Sequence, residues 1–406
     1  MRRIVLTLAL AALCTIAAAQ SLTVQYGPWV TGVGENGFTV LWTTPERSIC
    51  QLEVAPDDGL DFDAIPRQTF VETIAGRNIF STFHSVKVTG LEPGKAYRYR
   101  IAGQFVKDSS NPYDIHYQAD PCIAARGSVK TLDPEATTCR FMQVNDMHFD
   151  TELYSSLIEG KTAADMDFLL LNGDIVSYSN DINEVIRCSF DPAKELLKTV
   201  PVVYARGNHE SRGESFAEVP KLFPSSTGEF YFQFRQGPVA FIVLDAGEDK
   251  PDQTKAYAGY AYFDQYRQQE LEWLKTAVKD PSFVSAPLKV VLMHIPPFND
   301  AQAWYTQRQL NANFVPVLNE AGIDIMICAH QHRYMLVEDG EQGNGFPIFV
   351  NSNVERLEFV AEDTPAGSTI SISTYDAQGK ALHGYAIKKR HHTKGRMAAV
   401  RKPGQD

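Results

Sequence analysis

The rhythm of apolar and polar positions changes near residue 139. Before it, short runs rich in β-branched and aromatic residues recur at 39–43, 51–55, 83–88 and 97–101. Turn signals separate them: Gly32-Val33-Gly34, Asp57-Asp58-Gly59 and Glu92-Pro93-Gly94. Short strands at that spacing predict a β-sandwich over residues 21–135, with Trp42 on an alternating strand as a core candidate. The polar stretch 106–125 predicts a long loop or hairpin carrying a solvated His116, and 131–138, with Pro134, a linker.

From Cys139 strands alternate with helices. Apolar runs at 141–144, 168–171, 202–204, 289–293 and 323–327 predict buried strands, and 230–235 with 239–244 a hairpin around Gly237-Pro238. Helices are predicted at 152–160, 192–197 and 265–278, where Leu271, Leu274 and Val278 fall at helical spacing. A further helix, 311–320, is stopped by Gly322. Strand-like runs follow at 334–338, 346–350, 356–360, 369–374 and 381–387, then a basic stretch, 388–402, with seven Lys or Arg. The expected fold class is an N-terminal all-β sandwich (21–135), an α/β domain (136–388) and a basic, solvated tail (389–406).

Composition adds bounds. The 406 residues suggest two or three domains. The formal charge of −11 argues against a general nucleic-acid binder, which needs basic surface for phosphates. Residues 1–20 read as a signal peptide: Arg2 and Arg3, the apolar stretch 4–16, then Ala17-Ala18-Ala19, with cleavage after Ala19 or Gln20. The apolar stretch is short for a membrane anchor, and Leu13 before Cys14 argues against lipidation. The expectation is an exported, soluble protein, periplasmic or extracellular, with no membrane span. Of the cysteines, Cys50, Cys122, Cys139, Cys188 and Cys328 remain after cleavage. Their odd number leaves at least one unpaired within the chain, and Cys328 reads as a small buried hydrophobe.

The candidate chemistry sits just after the buried strands. The stretches are Asp146-Met147-His148, Gly173-Asp174, Gly207-Asn208-His209-Glu210, His294 and Ala329-His330-Gln331-His332. In an open α/β sheet, loops at the carboxyl ends of strands meet along one edge. Asp146, His148, Asp174, Asn208, His294, His330 and His332 can therefore converge, and their oxygen and nitrogen donors suit hard or borderline divalent metals. Five of the ten histidines fall in these stretches.

This ordered set resembles the calcineurin-like metallophosphoesterase superfamily. The resemblance implies two central β-sheets flanked by helices, with the C-terminal strands completing the second sheet. It implies two divalent ions (manganese, iron or zinc) bridged by Asp174, one taking Asp146, His148 and His332, the other Asn208, His294 and His330. A metal-bound hydroxide would hydrolyse a small-molecule phosphomonoester or phosphodiester. His209 would touch the phosphate and protonate the leaving group, and Glu210 would orient a ligand. Arg206 and Arg212 are candidate phosphate contacts, with surface charge the competing reading. The stretch 86–100, with Leu91-x-Pro93-x-x-x-Tyr97-x-Tyr99, resembles a fibronectin type III domain, implying Leu91 in the core and a corner closed by the Tyr97 hydroxyl. Such a sandwich precedes the catalytic domain in purple acid phosphatases.

Departures from the family pattern carry information. Ala329 replaces the usual glycine. Ser177 stands where purple acid phosphatases carry the tyrosine that gives their colour, Tyr178 is one further on, and His148 is a residue they typically lack, so a colourless enzyme is expected. Ser177 also denies the aspartate that protein Ser/Thr phosphatases pair with their histidine, leaving Asp181 as a substitute. Trp304, Tyr305, Tyr257, Tyr260 and Tyr262 are candidates to line a pocket or to pack internally. Two rival readings stand beside this one: a binding or adhesion protein using the sandwich, and a metal hydrolase of a non-phosphate ester. The oligomeric state is left open.

Overall fold

The computed structural model describes residues 20–389. The signal-peptide and basic-tail expectations fall outside the described residues, apart from Gln20 and Lys389. Two large sheets carry the chain. In one, the strands run in the order Ala381–Lys389, Gly367–Tyr375, Arg356–Thr364, Thr138–Val144, Phe168–Asn172, Val202–Ala205, Tyr26–Gly34, Gly37–Pro56 and Ala96–Asp108. In the other they run Phe232–Gln236, Val239–Leu244, Leu288–Met293, Ile325–Cys328, Ile348–Val350 and Met335–Val337.

Side-chain alternation explains the unbroken apolar runs. Successive strand residues point to opposite faces. Phe168 and Leu170 join Phe141, Phe241, Val290, Ile325 and Phe359 in a core between the sheets. Leu169 and Leu171 face outward onto Tyr154, Leu157, Val185 and Ile186. The second sheet's outer face packs on Leu271, Leu274, Leu310 and Leu318. Both faces of the central strands are thus covered, which gives two sheets between layers of helix.

Several elements differ from expectation. The C-terminal strands divide: 335–337 and 348–350 join the second sheet, but 356–364, 367–375 and 381–389 extend the first. Apolar residues such as Phe359 and Ile372 fit the inter-sheet core from either side, so the pattern alone could not choose. The helix expected at 311–320 is two, Tyr305–Asn313 and Val315–Ala321, because Pro316 lacks the N–H to continue the first and suits the opening turn of the second. Residues 192–197 form two 3-10 turns, Asp191–Ala193 and Leu196–Lys198. A helix, Ile182–Phe190, is additional, and Asp181 caps it by accepting from the Asn183 N–H.

In the β-rich N-terminal region, 39–43 and 51–55 belong to one strand, Gly37–Pro56. It pairs with Ser81–Thr89 and Ala96–Asp108, with an irregularity between Thr43 and Ser48. Trp42 and Leu91 are in the core, and the Tyr97 hydroxyl accepts from the Glu92 N–H at 3.0 Å. The 106–125 stretch ends in the strand Cys122–Lys130, while His116 sits beside Asp114 on the surface. The expected linker is held in place: Thr131 and Leu132 are buried, and the Asp133 N–H donates to Gln236 Oε1 at 2.8 Å.

The first sheet runs across the expected boundary at 135. Thr31 pairs with Val202 in parallel, and Trp29 stacks on Phe190 with centroids 4.2 Å apart. Trp29 and Leu41 belong to the same buried cluster as Tyr154 and Leu197. All five cysteines named above are unpaired, and Cys328 is fully buried. Among the described residues no helix is long and apolar enough to cross a membrane.

Candidate metal centre

The strands ending at Val144, Asn172, Ala205, Met293 and Cys328 each deliver a short loop to one edge. Backbone bonds lock these loops together. Asp146 N–H donates to Gly173 O (2.9 Å), His148 N–H to Asp174 O (3.0 Å) and Ala329 N–H to His294 O (2.9 Å). Gly207 approaches Asp174 so closely that an added Cβ would lie 2.2 Å from its amide nitrogen. At Gly173 (φ 73°) a Cβ would meet Gly207 N and His294 Nδ1 at 2.5 Å.

The candidate ligands occupy strained backbone. Asp146, His148, Asp174, His330 and His332 all have positive φ, between 47° and 72°. Side chains avoid that region unless surroundings impose it, and such residues cluster at functional sites. Ala329 is not among them, so replacing the family's glycine there adds no left-handed strain.

Asp146, His294 and Asp174 are each aimed by a partner. Asp146 Oδ2 accepts from Asn145 Nδ2 (2.9 Å) and His330 N–H (3.0 Å), leaving Oδ1 to face the centre. His294 lies within 2.7 Å of the Asn172 carbonyl through Nδ1; a carbonyl can only accept, so the ring proton sits there and Nε2 faces inward. Asp174 Oδ1 accepts the His209 N–H (2.9 Å). Its Oδ2 lies 3.2 Å from His294 Nε2 and 3.9 Å from His148 Nε2. Asp146 Oδ1 is 3.3 Å from His332 Nε2, which is 3.2 Å from His148 Nε2. Among the described residues three groups with metal-ligand spacing result, Asp146–His148–His332, Asp174–His294–His330 and His148–Asp174–His209.

The fit to a cation can be tested on unsatisfied atoms. Asp146 Oδ1, Asn208 Oδ1 and His294 Nε2 are buried without a hydrogen-bond partner. Each such atom costs about 1–3 kcal/mol, and divalent cations held by these residues would satisfy them. Mixed carboxylate, amide and imidazole donors suit a borderline divalent ion.

The electrostatics of the metal-free site agree. Burial disfavours a charged His294, yet Asp174 and Asp146 override it and raise its pKa to about 10. Burial and His294 lower His330 to about 4, and burial lowers His148. Asp174 is held well below the carboxylate range: burial opposes this, but His294 and His209 prevail. Burial and then Asp174 raise Glu210 to about 7. Glu210 accepts the amides of Asp174 (3.0 Å) and Ile175 (2.8 Å), so it positions the backbone of the bridging loop.

The remaining candidates divide. His209 Nδ1 lies 2.8 Å from Ser177 O, which fixes the proton on Nδ1 and turns Nε2 toward Asp174 Oδ2 at 3.9 Å. Arg212 Nη1 is 2.9 Å from that Nε2. Arg212 is in turn gripped by Glu248, at 2.6 and 2.9 Å. Arg206 is withdrawn: its guanidinium pairs with buried Asp245 at 2.7 Å and stacks over Phe230, so it is neither a phosphate contact nor surface charge. Asp181, as a helix cap, does not serve His209; the Ser177 carbonyl holds that nitrogen.

A cavity of about 570 Å³ opens beside Asp174, Asn208, His209 and His330, with Arg212, Lys250, Trp304 and Arg333 also on its walls. Tyr260 and Tyr262 point to solvent. Tyr257 donates to Glu248 (2.8 Å) and Tyr305 to Asp264 (2.8 Å), so none of these tyrosines lines the cavity. Sequence reasoning missed Asn145 and Glu248, and named Ser177 only for the residues it replaces, not for the carbonyl that holds His209. Asn145 and Ser177 adjoin motif residues, a usable signal; Glu248 lies in no motif.

Such a donor set at this sheet edge is suited to hold divalent cations. Residues 139–334 match the family described as calcineurin-like phosphoesterase and form a domain of that family. The chain is similar to purple acid phosphatase 15 of Arabidopsis thaliana, 24% identical over 288 residues, covering 62% of this chain and 48% of the relative. It is similar to human serine/threonine-protein phosphatase CPPED1, 23% identical over 186 residues, covering 41% of this chain and 53% of that protein. The chain spans about half the length of the curated relatives it matches. Among solved structures, purple acid phosphatase PPD1 from yellow lupin (Lupinus luteus) superposes with a TM-score of 0.66 at 13% identity, covering 91% of this chain and 75% of that one. PhoD superposes with a TM-score of 0.60 at 12% identity, covering 89% and 90%. These two show the fold.

Proposed function

We propose that the chain is an exported, metal-dependent phosphoric ester hydrolase acting on phosphomonoesters or phosphodiesters. The observation that carries this reading is the set of three buried ligand atoms without a hydrogen-bond partner, Asp146 Oδ1, Asn208 Oδ1 and His294 Nε2, with the His294 nitrogen 3.2 Å from Asp174 Oδ2 and 3.7 Å from Asp146 Oδ1. Asp146, His148 and His332 would hold one ion, Asn208, His294 and His330 the other, and Asp174 both. When bound, two such ions clamp phosphate oxygens and lower the pKa of water enough to make a nucleophile near neutral pH. Export rests on residues 1–20 of the sequence alone.

The protein's own groups do the rest. Asn145, Asn172 and Glu210 fix Asp146, His294 and the Asp174 loop before substrate arrives. Arg212, kept charged and oriented by Glu248, offers its guanidinium to phosphate oxygens at the cavity wall. As Arg212 turns from His209 Nε2 to the phosphate, that nitrogen is freed to take a proton from solvent water and pass it to the leaving oxygen. The Ser177 carbonyl keeps Nδ1–H anchored throughout. The test pairs metal content with turnover. Wild type holds two ions and hydrolyses an aryl phosphate; His294→Ala stays folded by circular dichroism, loses an ion and loses turnover. Wild-type rates in His294→Ala with metal bound contradict the assignment.

A further inference from the structure

The cavity beside the metal centre carries Asp174, His209 and Arg212 together with an apolar patch of Phe298, Ala303, Trp304 and Met335, set among polar wall residues such as Lys250, Gln302, Gln331 and Arg333. Trp304 is the prominent feature. It is 49% exposed although the other large aromatic on this wall, Phe298, is 4% exposed. Its ring meets His330 edge to face, with centroids 5.7 Å apart and planes at 88°. Lys250 Nζ lies 5.2 Å from its ring centroid and 2.6 Å from Asp249 Oδ1, so the indole is braced as well as exposed.

A second observation points to a ligand independently. Gln307, also on this wall, is 2% exposed. Its Oε1 accepts the Trp304 backbone N–H at 2.9 Å. A backbone N–H can face only the amide oxygen, so the amide orientation is fixed and Nε2 is the other end. That Nε2 is buried with no hydrogen-bond partner. An unused buried donor on a residue that shares this wall with an exposed indole calls for an acceptor.

We propose that Trp304 and Gln307 form a leaving-group subsite. It selects phosphoesters whose alcohol carries a flat ring with a hydrogen-bond acceptor, an aryl or heteroaryl class, over small aliphatic ones. This rests on the phosphoesterase reading above. The ring stacks on the indole, the acceptor engages Gln307 Nε2, and the phosphate lies toward Asp174 and Arg212. Trp304 positions substrate and leaves the metal ligands to act on phosphorus.

The experiment compares 1-naphthyl phosphate with glycerol 2-phosphate in the metal-loaded full chain, for wild type, Trp304→Phe and Trp304→Ala. Trp304→Ala should raise KM for the naphthyl ester about tenfold, the size expected for losing one stacked ring. It should leave KM for glycerol phosphate within about twofold of wild type. Trp304→Phe should stay near wild type on both. Binding of phenylphosphonate against methylphosphonate, followed by titration calorimetry, gives a reading that needs no turnover: the preference for the phenyl compound should vanish in Trp304→Ala. Equal losses on both esters, or no loss on either, overturn the subsite while leaving the phosphoesterase reading intact. No wild-type hydrolysis of either monoester overturns the phosphomonoester form of that reading instead, and a phenyl preference unchanged by Trp304→Ala overturns the subsite on its own.

Discussion

His294 shows how much one side chain is asked to do. It is fully buried, anchored through Nδ1 to the Asn172 carbonyl, and faces two carboxylates through Nε2. In metal-free protein those carboxylates hold its pKa near 10, so at pH 7 it carries a proton that a cation must displace. Metal loading at pH 7–8 should therefore release protons, measurable by titration calorimetry in buffers of differing ionisation enthalpy; no buffer dependence would contradict the protonated apo state. Asn145 makes the neighbouring case. It bonds Asp146 Oδ2, and its own Oδ1 accepts from Gln143 and Asn351. Asn145→Ala should weaken metal affinity or turnover about 10–100-fold, the usual effect of losing a residue that orients a ligand, while the fold persists. The seven candidate ligands were legible in the sequence because each follows a strand whose apolar run is plain. Glu248 was not, since its role depends on Arg212 turning toward His209 from a separate loop.

At the scale of elements, the first sheet joins the two halves of the chain. Trp29 comes from the N-terminal region, yet its indole is buried against Phe190 in the helical layer below the centre. Thr31 pairs with Val202, only a few residues before Asn208, and the Tyr99 hydroxyl donates to Lys198 O at 3.0 Å. Trp29→Ala should cost about 3–5 kcal/mol and lower the melting temperature of the whole chain in one transition. Two separated transitions, with only the early residues melting early, would show the halves to be independent. This junction explains why sheet membership could not be read from the pattern of each half alone. Alternation identified 356–360 and 369–374 as strands, but which sheet they join is set by Arg356–Thr364 pairing with Thr138–Val144, a contact between distant segments. Likewise the turn-poor stretch between Thr43 and Ser48 continues one strand, because its two halves find different partners.

For the whole molecule, charge and metal set the pH behaviour. Without metal, His294 has a folded-state pKa of about 10, raised from 6.5. That stabilises the fold fully below pH 6.5 and is lost as pH rises through 10. Glu210, raised from 4.5 to about 7, acts in the same direction over a lower range. His330, lowered to about 4, is neutral in both states above its ordinary pKa and drops out of the upper window. Metal-free protein should therefore lose thermal stability between pH 7 and 10. Metal-loaded protein should be flatter there, since its imidazoles are already neutral. A metal-free stability that climbs over that window would contradict the site electrostatics. The central claim, that this sheet edge is a dinuclear phosphoesterase centre, is tested most directly by hydrolysis of paired aryl phosphomonoester and phosphodiester substrates after chelation and again with manganese restored. The account predicts turnover abolished by chelation and recovered with metal, the ratio of the two rates fixing the substrate class. No turnover of either ester, in protein shown to hold two ions, would contradict it.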